Sequence, residues 1–280
     1  MSVARLTGGG RAAPLSRNEM LVRFASAAIL AALTLAAAWF GGWAAAVAVA
    51  AVVIVVHLEW IGLTGDRLMP ALVFTAMLVA SFAVFAAGYP AAAAGLTVVA
   101  VAAAGVAARE LWRPAGVAYA AMLGLGLLLL RDAPEHGLAA VLVVFAVVWG
   151  TDSGAFFAGR AIGGPKLWPA VSPKKTWAGA IGGLVAGILS GLVMAALAQI
   201  AVAPALALVC ALLSLVGQAG DLFESAIKRR FGAKDSGMIV PGHGGLMDRV
   251  DGLVFAVALA VLIGLVHGGP SNLAEGLLIW

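Results

Sequence analysis

Runs of about 20 apolar residues recur along almost the whole chain, each long enough to cross roughly 30 Å of hydrocarbon as a helix. Backbone in lipid must satisfy its own hydrogen bonds, so runs of this kind fold there only as helices. They fall near residues 21–40, 43–61, 69–87, 91–108, 116–130, 138–158, 176–198, 204–227 and 251–267. The expected fold is therefore all-α, a polytopic integral membrane bundle of about nine transmembrane helices. With 63% hydrophobic and 11% charged residues, no stretch remains for a soluble domain. The expected organisation is a polar tail over 1–20, one membrane domain over 21–280, and an interfacial segment at the last ten residues.

Charge placement fixes the sidedness of such a bundle, because Lys and Arg gather in short cytoplasmic loops. With the N-terminus inside, 16 of the 17 basic residues fall on the cytoplasmic side and Arg131 lies opposite. The expected topology is N-terminus cytoplasmic and C-terminus opposite. This bias and anionic headgroups account for the net charge of +4, so no nucleic-acid partner is expected. Cys210 is the only cysteine and sits within a span, which excludes an internal disulfide or a cysteine zinc cluster. The first apolar run is long and lacks a small-residue cleavage site, so it reads as an uncleaved span.

Against this background the stretch from Asp221 to Asp251 carries five acids, five bases, one histidine and five glycines. Asp221, Glu224, Ser225 and Lys228 follow i, i+3, i+4, i+7 spacing and share one helix face. An aspartate inside a span costs roughly 2.5–3.5 kcal/mol on insertion scales, so Asp221 calls for a partner or a watery cavity. Asp248 and Asp251 open the last span at i, i+3 spacing, with Arg249 turned to another side. Three carboxylates drawn together would repel one another unless a cation lay among them. Hard oxygen ligands in this arrangement suit Mg²⁺, which takes carboxylates together with phosphate oxygens. His57, near Glu59 in the second span, reads as a structural hydrogen-bonding residue.

A second polar segment, Ser172-Pro173-Lys174-Lys175-Thr176, precedes the seventh span. Backbone N–H groups and the dipole of a helix N-terminus favour phosphate, and two lysines add point charges. The segment reads as an anion cradle. Asp152, near the end of the sixth span, supplies a further carboxylate for metal, ribose or structural support. The site is thus expected to be built from 151–177 and 218–251 on the cytoplasmic face.

The spacing Ser225-x-x-Lys228-Arg229-x₄-Lys234-Asp235-x₅-Pro241-x-His243-Gly244-Gly245-x-x-Asp248-Arg249-x-Asp251 resembles the signature of the phosphatidate cytidylyltransferases, or CDP-diacylglycerol synthases. Ser172 to Thr176 resembles a second motif of that family, and the multi-span layout agrees over nearly the whole length. The resemblance implies the reaction of CTP with phosphatidate to give CDP-diacylglycerol and pyrophosphate. It also implies a divalent cation, Mg²⁺ or Mn²⁺, and is compatible with a monovalent cation such as K⁺ beside it. A phosphate monoester is largely ionised at neutral pH, with a second pKa near about 6, so no strong general base is required. The site must instead align two polyanions and stabilise the leaving pyrophosphate.

On this reading Asp221 and Asp248 are metal ligands, with Asp251 a ligand or close support. Ser172, Lys174, Lys175 and Thr176 hold the triphosphate. Lys228 and Arg229 meet the lipid phosphate or the pyrophosphate, and these two assignments are interchangeable. His243, Gly244 and Gly245 shape the nucleotide pocket, while Glu224, Ser225, Lys234 and Arg249 complete the substrate-binding positions. The lipid reaches the site through a lateral opening from the bilayer. A bacterial plasma membrane is the location implied, and a homodimer is compatible with the resemblance. The rivals are a CTP-dependent lipid kinase, a cytidylyltransferase acting on another lipid phosphate, and an ion-coupled transporter. A transporter distributes charge along several spans, whereas nearly all charge here gathers at one face.

Overall fold

A computed structural model describes residues 31–108, 110–237 and 244–280. The polar tail, the first half of the first expected span, Arg109 and His243 lie outside the described residues. Ten helices follow in order: α1 Ala31–Phe40, α2 Gly42–Thr64, α3 Leu68–Ala86, α4 Pro90–Ala107, α5 Trp112–Arg131, α6 Gly137–Ala161, α7 Trp177–Leu197, α8 Pro204–Arg230, α9 Met247–Gly268 and α10 Leu273–Leu278. Eight of them, α2 to α9, are long and apolar enough to cross a membrane, which makes the chain a polytopic helical membrane protein. The remaining expected span, the first along the chain, is described only as α1.

Local chemistry sets several helix ends. Pro90 and Pro204 open α4 and α8, where a missing N–H costs nothing. Gly65, at φ +69°, closes α2 in the left-handed conformation and donates its N–H to the Ile61 carbonyl. Between α2 and α3, Arg113 from α5 donates Nε and Nη2 to the two oxygens of Asp66, at 2.8 and 2.6 Å. That hydrogen bonding holds the Asp66 carboxyl below its ordinary value of 3.8. The clamp is therefore intact from neutral pH through the ordinary carboxylate range, and is lost only as pH falls through the lowered value.

The helices enclose two adjoining cores. One, around Phe74, Leu78, Phe82 and Leu125, is built by α2 to α5. The other, around Trp60, Tyr119, Val144, Leu213 and Val257, joins α2, α5, α6, α8 and α9. Buried polar groups pair across helices, as they must where water is absent. Ser81 donates to the Ala93 carbonyl at 2.8 Å, Thr151 to Ser214 at 2.7 Å, and His57 Nδ1 meets Thr75 Oγ1 at 2.8 Å. The expected structural role of His57 agrees with that contact. Arg131, the lone base expected on the opposite side, donates to the carbonyls of Ala38 and Trp39 at the end of α1.

The hairpin between α6 and α7 was not expected. The expected spans leave 159–175 as a connection between 138–158 and 176–198, but α6 runs on to Ala161 and the chain then forms antiparallel strands β1, Lys166–Trp168, and β2, Ser172–Thr176. Gly163 and Gly164, at φ +68° and +91°, turn the chain out of the helix. The Trp177 N–H donates to the Pro165 carbonyl at 3.1 Å and closes the base. The all-α expectation holds for the bundle, with this hairpin as the exception among the described residues. The expected interfacial tail is likewise a packed element, since Leu273, Ala274, Leu277 and Leu278 of α10 are buried.

The tightest helix pair is α6 with α7. Gly179, Gly183, Gly187 and Gly191 form a buried stripe at i, i+4 spacing along α7. A Cβ at Gly183 would lie 2.8 Å from the Thr151 carbonyl, so the backbones touch where any side chain would stand. Gly183→Val is expected to destabilise the bundle by about 1–3 kcal/mol through overpacking. Gly62→Ala, where nothing lies within 4 Å, is expected to stay within about 0.5 kcal/mol of wild type. Thermal unfolding of both variants in detergent checks the contrast.

Candidate active site

Four connected pieces meet at one end of the bundle: the end of α6, the hairpin, the end of α8 and the start of α9. Helix α8 continues without a break to Arg230, so Asp221, Glu224, Ser225 and Lys228 do share a face. Helix α9 begins at Met247, earlier than its apolar run, and Asp248 falls in its first turn with Asp251 one turn on. A carboxylate there is favoured by the helix dipole.

Lys228 organises the centre. Its Nζ lies 2.6 Å from Glu224 Oε2 and 2.6 Å from Asp248 Oδ1, with only 11% of the side chain exposed. Asp248 accepts two further hydrogen bonds at Oδ2, from the N–H groups of Ser236 at 3.0 Å and Gly245 at 3.1 Å. The reach back to Gly245 resembles half of a capping box at the start of α9. Glu224 is fully buried, and its ion pair with Lys228 is close but poorly aligned. Among the described residues neither of its oxygens has a hydrogen-bond partner.

A second ion pair joins the hairpin to α8: Lys175 of β2 meets Asp221. The Ser225 hydroxyl also reaches Asp221, weakly, at 3.5 Å. Arg229 donates to the Val171 carbonyl at 3.4 Å and the Ala233 carbonyl at 3.1 Å, which fixes the hairpin turn against the end of α8. Asp251 accepts from its neighbour Gly252 and lies within electrostatic reach of Asp221, Glu224 and Asp152. Asp152 on α6 in turn feels Asp221, Lys175 and Arg249. The two expected segments, 151–177 and 218–251, therefore come together.

Several expected positions take a different shape from a simple cradle. Because β2 is extended, Lys174 and Lys175 point to opposite faces; Lys175 turns to Asp221 while Lys174 is exposed. Thr176 is buried, and its hydroxyl accepts the Gly179 N–H at 3.0 Å as the N-cap of α7. Ser172 is half-buried in β2 opposite Trp168. Lys234 and Arg249 are exposed, and Gly244, at φ +83°, sits beside Asp248. His243 lies outside the described residues.

Residues 21–266 match the cytidylyltransferase family. The chain belongs to that family. It is 50% identical over 163 residues to a phosphatidate cytidylyltransferase of Brucella abortus, a match covering 58% of this chain and 60% of the relative. A phosphatidate cytidylyltransferase of Brucella suis is 51% identical over 160 residues, covering 57% and 59%. One from Staphylococcus saprophyticus is 46% identical over 140 residues, covering 50% and 54%. The chain thus spans about three fifths or less of the length of these relatives.

The cytidylyltransferase chain also carries residues that motif reading passed over. Glu59, from the distant helix α2, accepts from Leu246 and Met247 at the start of α9 and from Ser236 in the connection after α8. Tyr119 is 2% exposed, its hydroxyl has no hydrogen-bond partner among the described residues, and it lies within electrostatic reach of Asp251, Glu224, Asp248 and Asp221. The signal for Glu59 was present, since an acid within an apolar span is a functional candidate by default.

Donor chemistry at the site fits a hard cation. Asp152, Asp221, Glu224, Asp248 and Asp251 outnumber the cations among them, Lys175, Lys228 and Arg249, and the Glu224 oxygens have unused acceptor capacity. Among the described residues no three His, Cys, Asp or Glu are already gathered around a single point, and the lysines stand between the carboxylates instead. Lys228→Met should leave Glu224 and Asp248 facing each other without a cation. The expected loss is about 3–5 kcal/mol, as for breaking a buried pair from one side. Thermal unfolding measures it, and a Lys228→Met variant as stable as wild type would remove Lys228 from this role.

Proposed function

We propose that this chain is a phosphatidate cytidylyltransferase, forming CDP-diacylglycerol and pyrophosphate from CTP and phosphatidate at the cytoplasmic face of a bacterial plasma membrane. The observation that carries this reading is the paired array Lys175–Asp221 and Glu224–Lys228–Asp248 at one membrane end of a cytidylyltransferase-family bundle. The basic residues gathered at that end support the cytoplasmic orientation.

The reaction moves CMP. A lipid phosphate oxygen attacks the α-phosphorus of CTP as the bond to the β-phosphate breaks, and pyrophosphate leaves. The nucleophile is already ionised, so the task of the protein is alignment and charge stabilisation. Lys175 can exchange its partner Asp221 for a triphosphate oxygen, and Lys174, on the other strand face, meets phosphate from the solvent side. Ser172 lines the same strand, while Thr176 serves by fixing the start of α7. Lys228 and Arg229 stand at the end of α8, where the lipid phosphate and the leaving pyrophosphate must come. Gly244 and Gly245 border the nucleotide, with Ser225, Lys234 and Arg249 around them.

Mg²⁺ or Mn²⁺ would be held by Asp221 and Asp248, with Asp251 and Glu224 beside them and Asp152 in support. When bound it would neutralise charge developing on the transferred phosphoryl group. Acyl chains have a path along the groove of about 580 Å³ between α6 and α7, lined by Trp149, Gly150, Ser153, Phe157, Ser190 and Val193.

Purified protein incubated with labelled CTP, Mg²⁺ and phosphatidate is expected to yield a CDP-lipid, followed by chromatography. In a parallel reaction supplied with diacylglycerol, transfer of the γ-phosphate of CTP to give phosphatidate and CDP, with no CDP-lipid formed from phosphatidate, would identify a lipid kinase and overturn the reading. Asp248→Asn is expected to fall below about 1% of wild-type transfer while remaining folded, as for a group acting on charge developed in the transition state. Full activity at saturating Mg²⁺ would remove Asp248 from the metal site. Replacing both Lys174 and Lys175 with Gln is expected to weaken CTP binding about tenfold or more, roughly 1.4 kcal/mol, and to leave lipid binding nearly intact. An unchanged CTP affinity would refute the triphosphate assignment.

A further inference from the structure

We propose that Glu59 is the positioning residue of the site, a carboxylate on α2 that sets the geometry of Asp248 without touching substrate. Helix α9 starts badly by its own sequence: the N-cap is Leu246, whose side chain offers no acceptor. Its first N–H groups would be orphaned in a buried setting. Glu59 supplies what is missing from far along the chain. Its Oε1 accepts the Leu246 N–H at 2.9 Å, and its Oε2 accepts the Met247 N–H at 2.7 Å. Oε2 also accepts the Ser236 hydroxyl at 3.3 Å. Glu59 is itself 4% exposed.

The same few residues suspend Asp248. Ser236 gives its hydroxyl to Glu59 and its N–H to Asp248, and Gly245, next to Leu246, gives its N–H to Asp248. Glu59 and Asp248 therefore grip one backbone corner from two sides. The fit is close: a Cβ on Gly237 would lie 2.7 Å from Glu59 Oε1, and one on Gly245 would lie 2.9 Å from Glu59 Oε2. Gly237 is demanded by the approach of this carboxylate, and Gly245 by the Ser236 hydroxyl, which would lie nearer still to such a Cβ, together with Glu59. Through Asp248 the grip reaches Lys228, so the orientation of the central ion pair is set from α2.

The kinetic part of the test rests on the proposed cytidylyl transfer; the hydrogen-exchange part does not. Glu59→Gln keeps the shape and replaces one acceptor oxygen with an NH₂ that faces an N–H. The expected result is a kcat lower by about 10- to 100-fold, the range for partners that orient ligands, with KM for CTP and phosphatidate within about threefold of wild type. Amide exchange should accelerate in a peptide covering 244–255 and stay unchanged in α3, α4 and α7. Ser236→Ala, which removes one arm, should show the same pattern at smaller size. An unchanged kcat with unchanged local exchange overturns the proposal. So does a loss of activity with faster exchange throughout the bundle, which marks Glu59 as structural only. If wild type transfers no CMP, the functional reading fails, and local exchange in Glu59→Gln still decides the grip: faster supports it, unchanged refutes it.

Discussion

Lys228 stands 2.6 Å from both Glu224 and Asp248, in a place where protein and lipid have removed most of the water. A single buried charge there would be prohibitively costly, and a lysine between two acids is tolerable only if all three are held in place. Much of the local architecture follows from that demand. Helix α8 must reach past the end of its apolar run to present Glu224 and Lys228 on one face. Helix α9 must begin early enough for Asp248 to meet them. The corner at Ser236 and Gly245 must aim two N–H groups at Asp248, and Glu59 must hold that corner.

How far the sequence disclosed this differs with the physics of each part. The spans were legible because hydrocarbon thickness dictates their length. Their ends were displaced by a few residues where polar side chains continue a helix beyond its apolar run, as at Met247 to Val250 and Lys228 to Arg230. The shared face of Asp221, Glu224 and Lys228 needed only helical periodicity. The hairpin was hidden because Lys166 to Thr176 lacks the alternating apolar pattern of a half-buried strand, its pairing being fixed instead by the glycine turn and the Pro165 contact. The grip of Glu59 was hidden for another reason. No local spacing links Glu59 with Leu246 and Met247, and only the packing of α2 against α9 brings them together.

The glycine stripe of α7 has a consequence for the site as well as for packing. Close approach of α6 and α7 lets Asp152, near the end of one helix, come within electrostatic reach of Lys175, just before the other. Side chains at those glycine positions would separate the helices and draw Asp152 away. Thr176 then fixes the start of α7 through the Gly179 N–H, so the strand that carries Lys175 leaves the membrane domain in a defined direction. Small residues and one cap thus place a charged residue that neither touches.

The lysine pairs also bear on how such a site could accept two polyanions. With Asp221 held by Lys175, and Asp248 by Lys228, the carboxylates are neutralised from within the chain. Bringing phosphate to either lysine sets a carboxylate free, and bringing a divalent cation to the carboxylates sets a lysine free. The two events therefore favour each other, since each removes the partner that the other must displace. On the proposed function, charge balance alone would then couple metal and nucleotide binding. The half-exposed Lys175–Asp221 pair is the easier to open, whereas Lys228 is enclosed and tied through Asp248 to the corner that Glu59 grips.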